Sequence, residues 1–345
     1  MGQRISILTR GSHDFGMGHL HRSLWMCEAL LGCGRELEIS LHCLPGPEAQ
    51  AHFARYSASV EFSDWLEDPA ALPKTDLRIV DWLDSPAGFV EQLRASSARI
   101  MLLDDYGPAS GEADLVVRSL LCDIGSMRGM QGRAEVLSGI QYLQLALSIL
   151  RLRYGAVASL RAMEASMEEA TEHEPGPLRC IMLNFGGTPR PQLSEFVLGV
   201  LAELKFAGRV LVKPASSHMA IPAGLDVELH EDTSHFHELL SACDACVVGG
   251  GLTLYEALFL GVAPLVLPLV EHQYLTAQKL QAAGCCMIGG RPGELDHNQL
   301  AGRVLELLGE PSHRGRLIHN GMRLVDGRGI FRTLDALLAL LDSTD

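Results

Sequence analysis

Short, continuously apolar segments alternate with longer segments of helical spacing along this chain, and this alternation constrains the fold more than any other feature. In the first half, apolar runs predict strands at residues 4–9, 37–43, 77–81, 99–104 and 114–117. The intervening segments predict helices at residues 19–32, 47–56, 86–96 and 141–161. Apolar strands separated by helices are typical of a parallel sheet covered on both faces. We therefore predict an α/β fold for this half.

The second half repeats the same plan. Its strands are predicted at residues 178–185, 210–213, 226–230, 245–248 and 264–268. Its helices are predicted at residues 191–206, 236–243, 252–260, 273–283, 296–309, 311–325 and 331–342. The chain is therefore predicted to contain two doubly wound, Rossmann-like domains, each with a parallel sheet.

An acidic segment, residues 163–177, separates the two halves and ends in Pro175-Gly176-Pro177. Such a breaker-rich segment is typical of a domain boundary. We expect an N-terminal domain at residues 1–162, a linker at 163–177 and a C-terminal domain at 178–345, with the last helix free to pack back on the N-terminal domain. A chain of 345 residues has room for two domains of about 150 residues each.

Charge and hydropathy argue against several classes of protein. The net charge is −14, with acidic residues spread along the chain, so nucleic acid is not expected as a partner. The densest basic segment, Arg151-Leu152-Arg153, is too short to form a membrane-surface patch. No apolar stretch reaches about 18 residues without a charge or a breaker, and the first apolar run is too short for a signal peptide. We expect a cytoplasmic protein without an integral membrane segment.

The nine cysteines lie mostly in apolar contexts, which is typical of buried free thiols. Cys243-Asp244-Ala245-Cys246 has the spacing of a metal site, but no second pair of this kind lies nearby. Cys246 also begins a predicted buried strand. These observations favour free thiols over a zinc site.

The most informative motif is Gly16-Met17-Gly18-His19, between the first predicted strand and the first predicted helix. Glycines let a ligand approach the backbone closely, and a helix N-terminus favours negative charge. Arg22 stands where a dinucleotide-binding fingerprint would have its third glycine, which argues against that class of site. The helix start favours a neutral His19 imidazole, which can accept a proton from water or a hydroxyl group. The alternative is that His19 only caps the turn.

A second candidate site is Gly249-Gly250-Gly251-Leu252-Thr253, which follows a predicted buried strand and opens a helix. The amides of Gly250, Gly251 and Leu252 would be open to a diphosphate, and Thr253 adds a hydroxyl donor. Glu256 lies one helical turn further on, where its carboxylate can accept hydrogen bonds from both hydroxyl groups of a ribose. The alternative is a tight turn followed by a solvated glutamate.

Two further candidate pairs lie at predicted strand ends in the second half, where open α/β sheets bind ligands. His272 and Gln273 have side chains that can hydrogen-bond a sugar, although a plain helix start explains them equally well. Gly187 and Thr188 follow the strand at 178–185 and can hold a phosphate or position a base. A simple turn is the alternative for this pair.

Acidic residues at strand ends of the first half form a weaker set of candidates. The set lies at the ends of predicted strands, where it can bind a sugar or assist proton transfer: Asp81, Asp84, Asp104, Asp105 and Tyr106. Aspartates at such positions often cap the following helix instead. Asp14 is close enough in sequence to His19 to assist it.

Two doubly wound halves, a GxGH loop in the first and a GGGLTxxE segment in the second together resemble the GT-B superfamily. Within it, the chain most resembles the UDP-sugar hydrolase of pseudaminic-acid biosynthesis and its spore-coat-polysaccharide relatives. The lipid-linked muramyl N-acetylglucosaminyltransferase is a more distant relative. The resemblance covers nearly the whole chain. The matching segments are a GxGHxxR loop at 16–22, a G-x-x-Y segment at 139–142, an FGG turn at 185–188, an E-A-L segment at 256–258 and Gln273.

This resemblance implies two domains facing a cleft, with UDP as the nucleotide. It implies that His19 is the catalytic histidine and activates water or an acceptor hydroxyl group. It also implies that Gly250, Gly251 and Leu252 hold the diphosphate and that Glu256 holds the ribose. The glycines of the first loop would then let the sugar and the phosphate come close to His19.

Two positions depart from the family pattern. Asp81-Trp82-Leu83-Asp84 stands where the hydrolase has an Asp-His-Tyr-Gly run, and Tyr255 replaces the asparagine that typically precedes the ribose glutamate. Both positions lie near the sugar in the family. The changes favour a different sugar, or a relative that transfers the sugar to an acceptor.

The sequence therefore predicts a GT-B enzyme that acts on a UDP-linked sugar and needs neither a metal nor a cofactor. Hydrolysis of a UDP-amino-sugar in glycan or nonulosonate biosynthesis is the first hypothesis. Transfer to a sugar, lipid-linked or small-molecule acceptor is the second. The third is a nucleotide-sugar-binding subunit without catalytic activity.

Overall fold

The structure is a computed structural model that describes residues 2–11, 17–54, 60–119, 132–155, 159–167, 175–187, 189–216, 218–231, 235–291, 293–294 and 296–343. The chain divides into two compact units. The first unit takes the described residues from 2 to 119, from 132 to 167 and from 327 to 343. The second unit takes those from 175 to 326.

Each unit is built on one parallel sheet. Among the described residues, the strands of the first sheet are β1 Gln3–Thr9, β2 Leu37–Cys43, β3 Val60–Phe62, β4 Thr75–Asp81, β5 Ser97–Leu103, β6 Leu115–Arg118 and β7 Glu135–Ser138. Their order is β3-β2-β1-β4-β5-β6-β7. The winding therefore reverses between β1 and β4, and open α/β sheets bind ligands beyond the carboxyl ends of the strands at such a switch point.

The strand order of the second sheet also reverses once. Its strands are β8 Cys180–Asn184, β9 Arg209–Val212, β10 Asp226–Leu229, β11 Ala245–Val248, β12 Ala263–Val266 and β13 Met287–Ile288. Their order is β10-β9-β8-β11-β12-β13, so the switch point lies between β8 and β11. Every residue of β8, β11 and β12 is buried, as expected for strands with both faces covered.

Helices connect the strands and extend the chain. The described helices are α1 Gly18–Leu31, α2 Pro47–Phe53, α3 Phe89–Leu93, α4 Leu147–Tyr154, α5 Leu160–Ser166, α6 Pro191–Glu203, α7 Phe236–Ser241, α8 Leu252–Leu260, α9 Glu271–Ala282, α10 His297–Gly309, α11 Pro311–Leu324 and α12 Gly329–Asp342. Short 3-10 segments lie at Pro69–Ala71, Pro108–Glu112 and Ile140–Tyr142. The last helix, α12, belongs to the first unit, where it contacts α1, β5 and the segment Ile140–Tyr142.

The predicted fold class is confirmed, and most predicted strands and helices are present within a few residues. The edge strands β3, β7 and β13 were not predicted, because each is short, with 3, 4 and 2 residues respectively. The helix predicted at 141–161 is wrong in its extent. Its residues include α4, which ends where Gly155 adopts φ 81°, and the start of α5. The start of the predicted linker is helical, because α5 continues to Ser166.

The junction between α12 and the segment Ile140–Tyr142 gives a test of the first unit. A Cβ at Gly329 would lie 2.0 Å from the backbone carbonyl oxygen of Leu143, which is far inside a van der Waals contact. We predict that Gly329→Ala lowers the free energy of unfolding by about 1–3 kcal/mol, as overpacking does. Urea denaturation followed by circular dichroism measures the change.

A matched control is Gly46→Ala in the same unit, where a Cβ would meet only Glu48 Oε2, at 3.9 Å. The backbone of Gly46 is extended, so alanine adopts it without strain. A Gly329→Ala protein as stable as the Gly46→Ala protein would contradict the close packing of α12 at Leu143.

Candidate functional site

The first candidate site lies at the switch point of the first sheet. α1 begins at Gly18 and places His19 and Arg22 one turn apart on the same face. Asp81 is the last residue of β4, and Asp104 directly follows β5. The carboxyl ends of neighbouring parallel strands meet at one edge of the sheet. The four side chains therefore come together there.

Asp81 binds both His19 and Arg22. His19 Nδ1 lies 2.6 Å from Asp81 Oδ1. Arg22 donates from Nε to Asp81 Oδ2 at 3.0 Å and from Nη2 to Asp81 Oδ1 at 2.5 Å. Because Arg22 Nη2 and His19 Nδ1 both bind Asp81 Oδ1, these two nitrogen atoms lie only 3.1 Å apart. The buried carboxylate thereby fixes the orientation of the histidine and the arginine together.

Asp104 holds the other side of the guanidinium group. Arg22 donates from Nη1 to Asp104 Oδ2. Asp104 also accepts hydrogen bonds from the backbone N–H of Ser119 at 2.6 Å and from its hydroxyl group at 2.9 Å. Its φ of 48° places it in the left-handed region, which aspartate tolerates better than most residues. The turn after β5 is thus shaped so that Asp104 meets Arg22.

The charges in this cluster compensate one another. Burial alone would raise the pKa of Asp81, but Arg22 and then His19 outweigh it and lower the pKa below the usual carboxyl range. Burial alone would lower the pKa of Arg22, but Asp81 and Asp104 raise it above its ordinary value. Arg22 and Asp81 are therefore both charged at neutral pH.

The contact with Asp81 determines what His19 can do chemically. A carboxylate oxygen only accepts hydrogen bonds, so His19 Nδ1 carries a proton and the neutral imidazole keeps its lone pair on Nε2. Nε2 makes no hydrogen bond within the part of the chain that the structure describes, and the side chain is 13% exposed. A histidine oriented in this way is suited to accept a proton from water or a hydroxyl group.

Asp105 and Tyr106 lie beside this cluster but bind other partners. Asp105 Oδ1 accepts a hydrogen bond from the Gly107 N–H at 2.7 Å, and burial raises the pKa of the Asp105 carboxyl group. The guanidinium carbon of Arg118 lies 4.8 Å from the centre of the Tyr106 ring. These contacts hold the turn after β5. The roles predicted for both residues in sugar binding or proton transfer stay predictions.

Both carboxylates after β5 were candidates from the sequence, and the structure points Asp104 at Arg22. Sequence reasoning missed two further residues at this edge of the sheet, Ser119 and Arg10. Ser119 carried no signal, because its role depends on a strand neighbour distant in sequence. Arg10 follows β1, and its guanidinium carbon lies 4.7 Å from the centre of the Trp82 ring. A basic residue directly after a predicted strand could have been selected from the sequence.

The second candidate site is the glycine loop, Gly249-Gly250-Gly251, at the switch point of the second sheet. It follows β11 and leads into α8, which begins at Leu252. Gly250 has φ 92°, and a Cβ there would lie 3.2 Å from Gln273 Cβ, so this position favours glycine. A Cβ at Gly251 would meet no described atom within 4 Å. The backbone of the glycine loop is therefore covered by Gln273 at Gly250 and uncovered at Gly251.

Gln273 belongs to this same site. It lies in the first turn of α9, and its Oε1 accepts a hydrogen bond from the Leu269 N–H at 2.9 Å. Its Cβ faces Gly250, so the structure brings together two candidates that are separate in sequence. His272, the preceding residue, is exposed.

Glu256 lies one turn into α8, and its side chain is only 7% exposed. His237 on α7 approaches it, with His237 Nε2 3.1 Å from Glu256 Oε1. Burial alone would lower the pKa of His237, but Glu256 outweighs it and raises the pKa above the ordinary value. One carboxylate oxygen of Glu256 is thus held by a residue that sequence reasoning did not select, because this contact joins two helices.

The remaining candidates of the second unit are placed as follows. Thr253 is half-buried in the first turn of α8, beside the glycine loop. Tyr255 is 2% exposed, which is typical of a packing position. Gly187 is exposed in the turn after β8, where Asn184 donates to the Lys213 carbonyl oxygen at 2.6 Å and accepts from the Gly186 N–H. Asp14, Gly16 and Thr188 lie outside the described residues.

The described residues hold neither a metal-binding cluster nor a membrane-spanning helix. No group of three or more His, Cys, Asp or Glu side chains there is arranged to hold a metal ion. No described helix is both long and apolar enough to cross a membrane.

Comparison with solved structures establishes the class of fold. The chain resembles MurG of Acinetobacter baumannii with a TM-score of 0.64 at 12% identity, over 98% of this chain and 100% of that one. It resembles MnaA of S. aureus, in a structure with UDP, with a TM-score of 0.60 at 14% identity, over 99% of both chains. The protein therefore has the two-domain GT-B fold.

Sequence comparison finds a relative that matches over nearly the full length. The chain is 26% identical, in an alignment 353 positions long, to the Spore coat polysaccharide biosynthesis protein SpsG of Bacillus subtilis (strain 168), and the alignment covers 98% of each protein. No protein-family model matches the chain. The predicted resemblance to GT-B proteins and to the spore-coat-polysaccharide relatives is confirmed.

The buried cluster around Arg22 makes a prediction about stability and pH. Because the pKa of Asp81 is lowered in the folded protein, its contribution to stability is fully present above the ordinary carboxyl pKa and is lost as the pH falls toward the lowered one. We predict that Asp81→Asn lowers the free energy of unfolding by about 3–5 kcal/mol at pH 7, as expected for breaking a buried ion pair. Urea denaturation between pH 7 and 3 measures the difference from the wild type, which should shrink in acid.

Asp342→Asn is the matched control in the same unit. Asp342 pairs with Arg35 at the surface, where ion pairs contribute little. A difference between the wild type and Asp81→Asn that stays constant down to pH 3 would contradict the charged state assigned to Asp81.

Proposed function

We propose that this protein is a GT-B enzyme of polysaccharide biosynthesis that breaks the bond between a sugar and the diphosphate of UDP. The proposal depends above all on the glycine loop, whose open backbone at Gly251 lies at the switch point of the second sheet. The GT-B fold and the full-length similarity to a spore coat polysaccharide biosynthesis protein support it.

The second unit would bind the nucleotide. The first backbone N–H groups of an α-helix have no partner within the helix, and the helix N-terminus favours an anion. The diphosphate would accept hydrogen bonds from the amides of Gly250, Gly251 and Leu252, and from the hydroxyl group of Thr253. These groups would stabilise the charge on the leaving diphosphate, so we propose a reaction without a metal or another cofactor.

The ribose would bind Glu256 in this proposal. His237 holds one oxygen of that carboxylate, which fixes its orientation and leaves the second oxygen for a hydroxyl group. Gln273, beside Gly250, would contact the sugar or the phosphate next to it. UDP as the nucleotide is supported by the structure of MnaA with UDP, which shares the fold.

The first unit would supply the base. Asp81 holds His19 so that Nε2 can take a proton from the attacking hydroxyl group or water. Arg22 keeps Asp81 charged and in place, as a positioning residue that acts through Asp81. The oxygen of the acceptor would form the new bond to the anomeric carbon as the bond to the diphosphate breaks.

The acceptor is either water or a hydroxyl group of another molecule. Hydrolysis of a UDP-amino-sugar is the first candidate, because the sequence resembles the hydrolase family. Transfer is the second, and the glycosyltransferase folds among the similar structures favour it. Incubation of the enzyme with UDP-sugars alone, followed by chromatography, separates the two: free sugar and UDP indicate hydrolysis, whereas turnover only with an added acceptor indicates transfer.

Replacement of Gly251 tests the nucleotide site. A methyl group there meets no described atom, and the φ of −83° suits alanine, so the variant should fold normally. We predict that Gly251→Ala weakens UDP binding at least tenfold, since the methyl group keeps the diphosphate away from the amides and about 1.5–3 kcal/mol of charged hydrogen bonding is lost. Isothermal titration calorimetry measures the affinity.

Gly302→Ala in α10 is the control, because a Cβ there also meets open space. It should bind UDP like the wild type. Equal UDP affinity for all three proteins would argue against a diphosphate at the glycine loop.

Replacement of His19 tests the base. We predict that His19→Ala lowers kcat by about 10²–10⁴-fold, the usual contribution of a general base. UDP affinity should not change, because the nucleotide groups belong to the second unit. Steady-state turnover of the UDP-sugar and calorimetry with UDP provide the two readouts.

His21→Ala is the control on the same helix. The His21 ring packs 4.4 Å from that of His52. If His19→Ala kept the wild-type kcat, His19 would not be the base.

A further inference from the structure

Two cysteines of the second unit lie in direct contact at the amino ends of its strands. Cys180 is the first residue of β8, and Cys243 lies between α7 and β11. Their sulfur atoms are 3.4 Å apart, and both residues are buried. Because β8 and β11 are neighbours in the sheet, the two backbones are already adjacent. The glycine loop is at the opposite, carboxyl end of β11, so this pair is separate from the nucleotide site.

The surroundings of the two sulfur atoms differ in charge. Arg209 on β9 is the register partner of Cys180, so both side chains lie on the same face of the sheet. The Cys243 thiol and then Arg209 lower the pKa of Cys180 to about 7, against burial and the nearby Asp244 carboxylate. The hydrogen bond to Cys180 and burial raise the pKa of Cys243. Cys180 is therefore the sulfur that carries negative charge near neutral pH.

We propose that Cys180 and Cys243 form an oxidation-sensitive dithiol, in which Cys180 reacts with a hydroperoxide and Cys243 then closes a disulfide. The proposal is independent of the proposed enzymatic function. It assigns the two residues different roles, Cys180 as the attacking sulfur and Cys243 as the resolving one.

The chemistry balances with hydrogen peroxide as the oxidant. The Cys180 thiolate attacks one peroxide oxygen, an S–O bond forms, the O–O bond breaks and hydroxide leaves. The Cys243 sulfur then attacks the Cys180 sulfur, so that an S–S bond forms and the S–O bond breaks. The departing hydroxyl group takes the Cys243 proton and leaves as water, and the hydroxide from the first step takes a proton from the solvent. Two thiols are oxidised, one peroxide is reduced, and two waters form.

Other cysteines of the second unit provide an internal comparison. Burial raises the pKa of Cys246, Cys285 and Cys286, and the value for Cys285 is about 11. Thiols of this kind are poorly ionised at neutral pH and react slowly with peroxide. The Cys180–Cys243 pair should therefore react first.

The test uses the purified full-length protein, reduced and then treated with hydrogen peroxide at neutral pH. Remaining thiols are alkylated, and peptides are mapped by mass spectrometry without reduction. We expect a Cys180–Cys243 cross-linked peptide, a mass loss of two hydrogen atoms, and reversal by dithiothreitol. The proposal is overturned if both cysteines are recovered as alkylated thiols although other cysteines have been oxidised by the peroxide. It is also overturned if Cys180 becomes a sulfinic acid without forming the cross-link.

Single substitutions test the assigned roles. In Cys243→Ser, Cys180 should still be oxidised and be trapped as a sulfenic acid by dimedone. In Cys180→Ser, Cys243 should remain a thiol; its oxidation at the wild-type rate would reverse the assignment. Arg209→Gln should shift the pH midpoint of Cys180 alkylation upward, while Cys33→Ser in the first unit leaves the cross-link unchanged. The peptide map of the wild-type protein tests the cross-link without any substitution. The proposal therefore stays testable even if one of the variants fails to fold.

Discussion

The buried ion cluster of Arg22 with Asp81 and Asp104 is the constraint on which the first unit depends. The buried guanidinium group of Arg22 is compensated by two carboxylates, and these aspartates come from the ends of neighbouring strands. α1 must therefore begin where Arg22 reaches both of them. His19 lies one turn earlier on the same helix, so its position beside Asp81 follows from the same requirement.

The candidate site of the second unit does not depend on a buried ion cluster. It is built mainly of backbone, in a glycine loop where only Gly250 requires an unusual conformation and Gly251 remains open. The side chains around it are held by neighbours, Gln273 by the Leu269 N–H and Glu256 by His237. The two units thus offer complementary chemistry, an oriented imidazole in one and a set of backbone donors in the other.

Much of this architecture could be predicted from sequence, because continuous apolar strands and glycine-bearing strand ends are local patterns. The alternation predicted the parallel sheets, and the position of His19 after a strand end predicted a functional loop. The partners of these residues could not be predicted in the same way. The contact between Arg22 and Asp104 and the contact between His237 and Glu256 each join elements far apart in the chain. Edge strands such as β7, with 4 residues, were missed because they are short.

The central claim is that the glycine loop binds the diphosphate of a UDP-sugar. A crystal structure of the protein with UDP tests it most directly. The account predicts diphosphate oxygens within hydrogen-bonding distance of the amides of Gly250, Gly251 and Leu252, with the ribose hydroxyl groups on Glu256. UDP bound with its diphosphate away from those amides and its ribose away from Glu256 would contradict it.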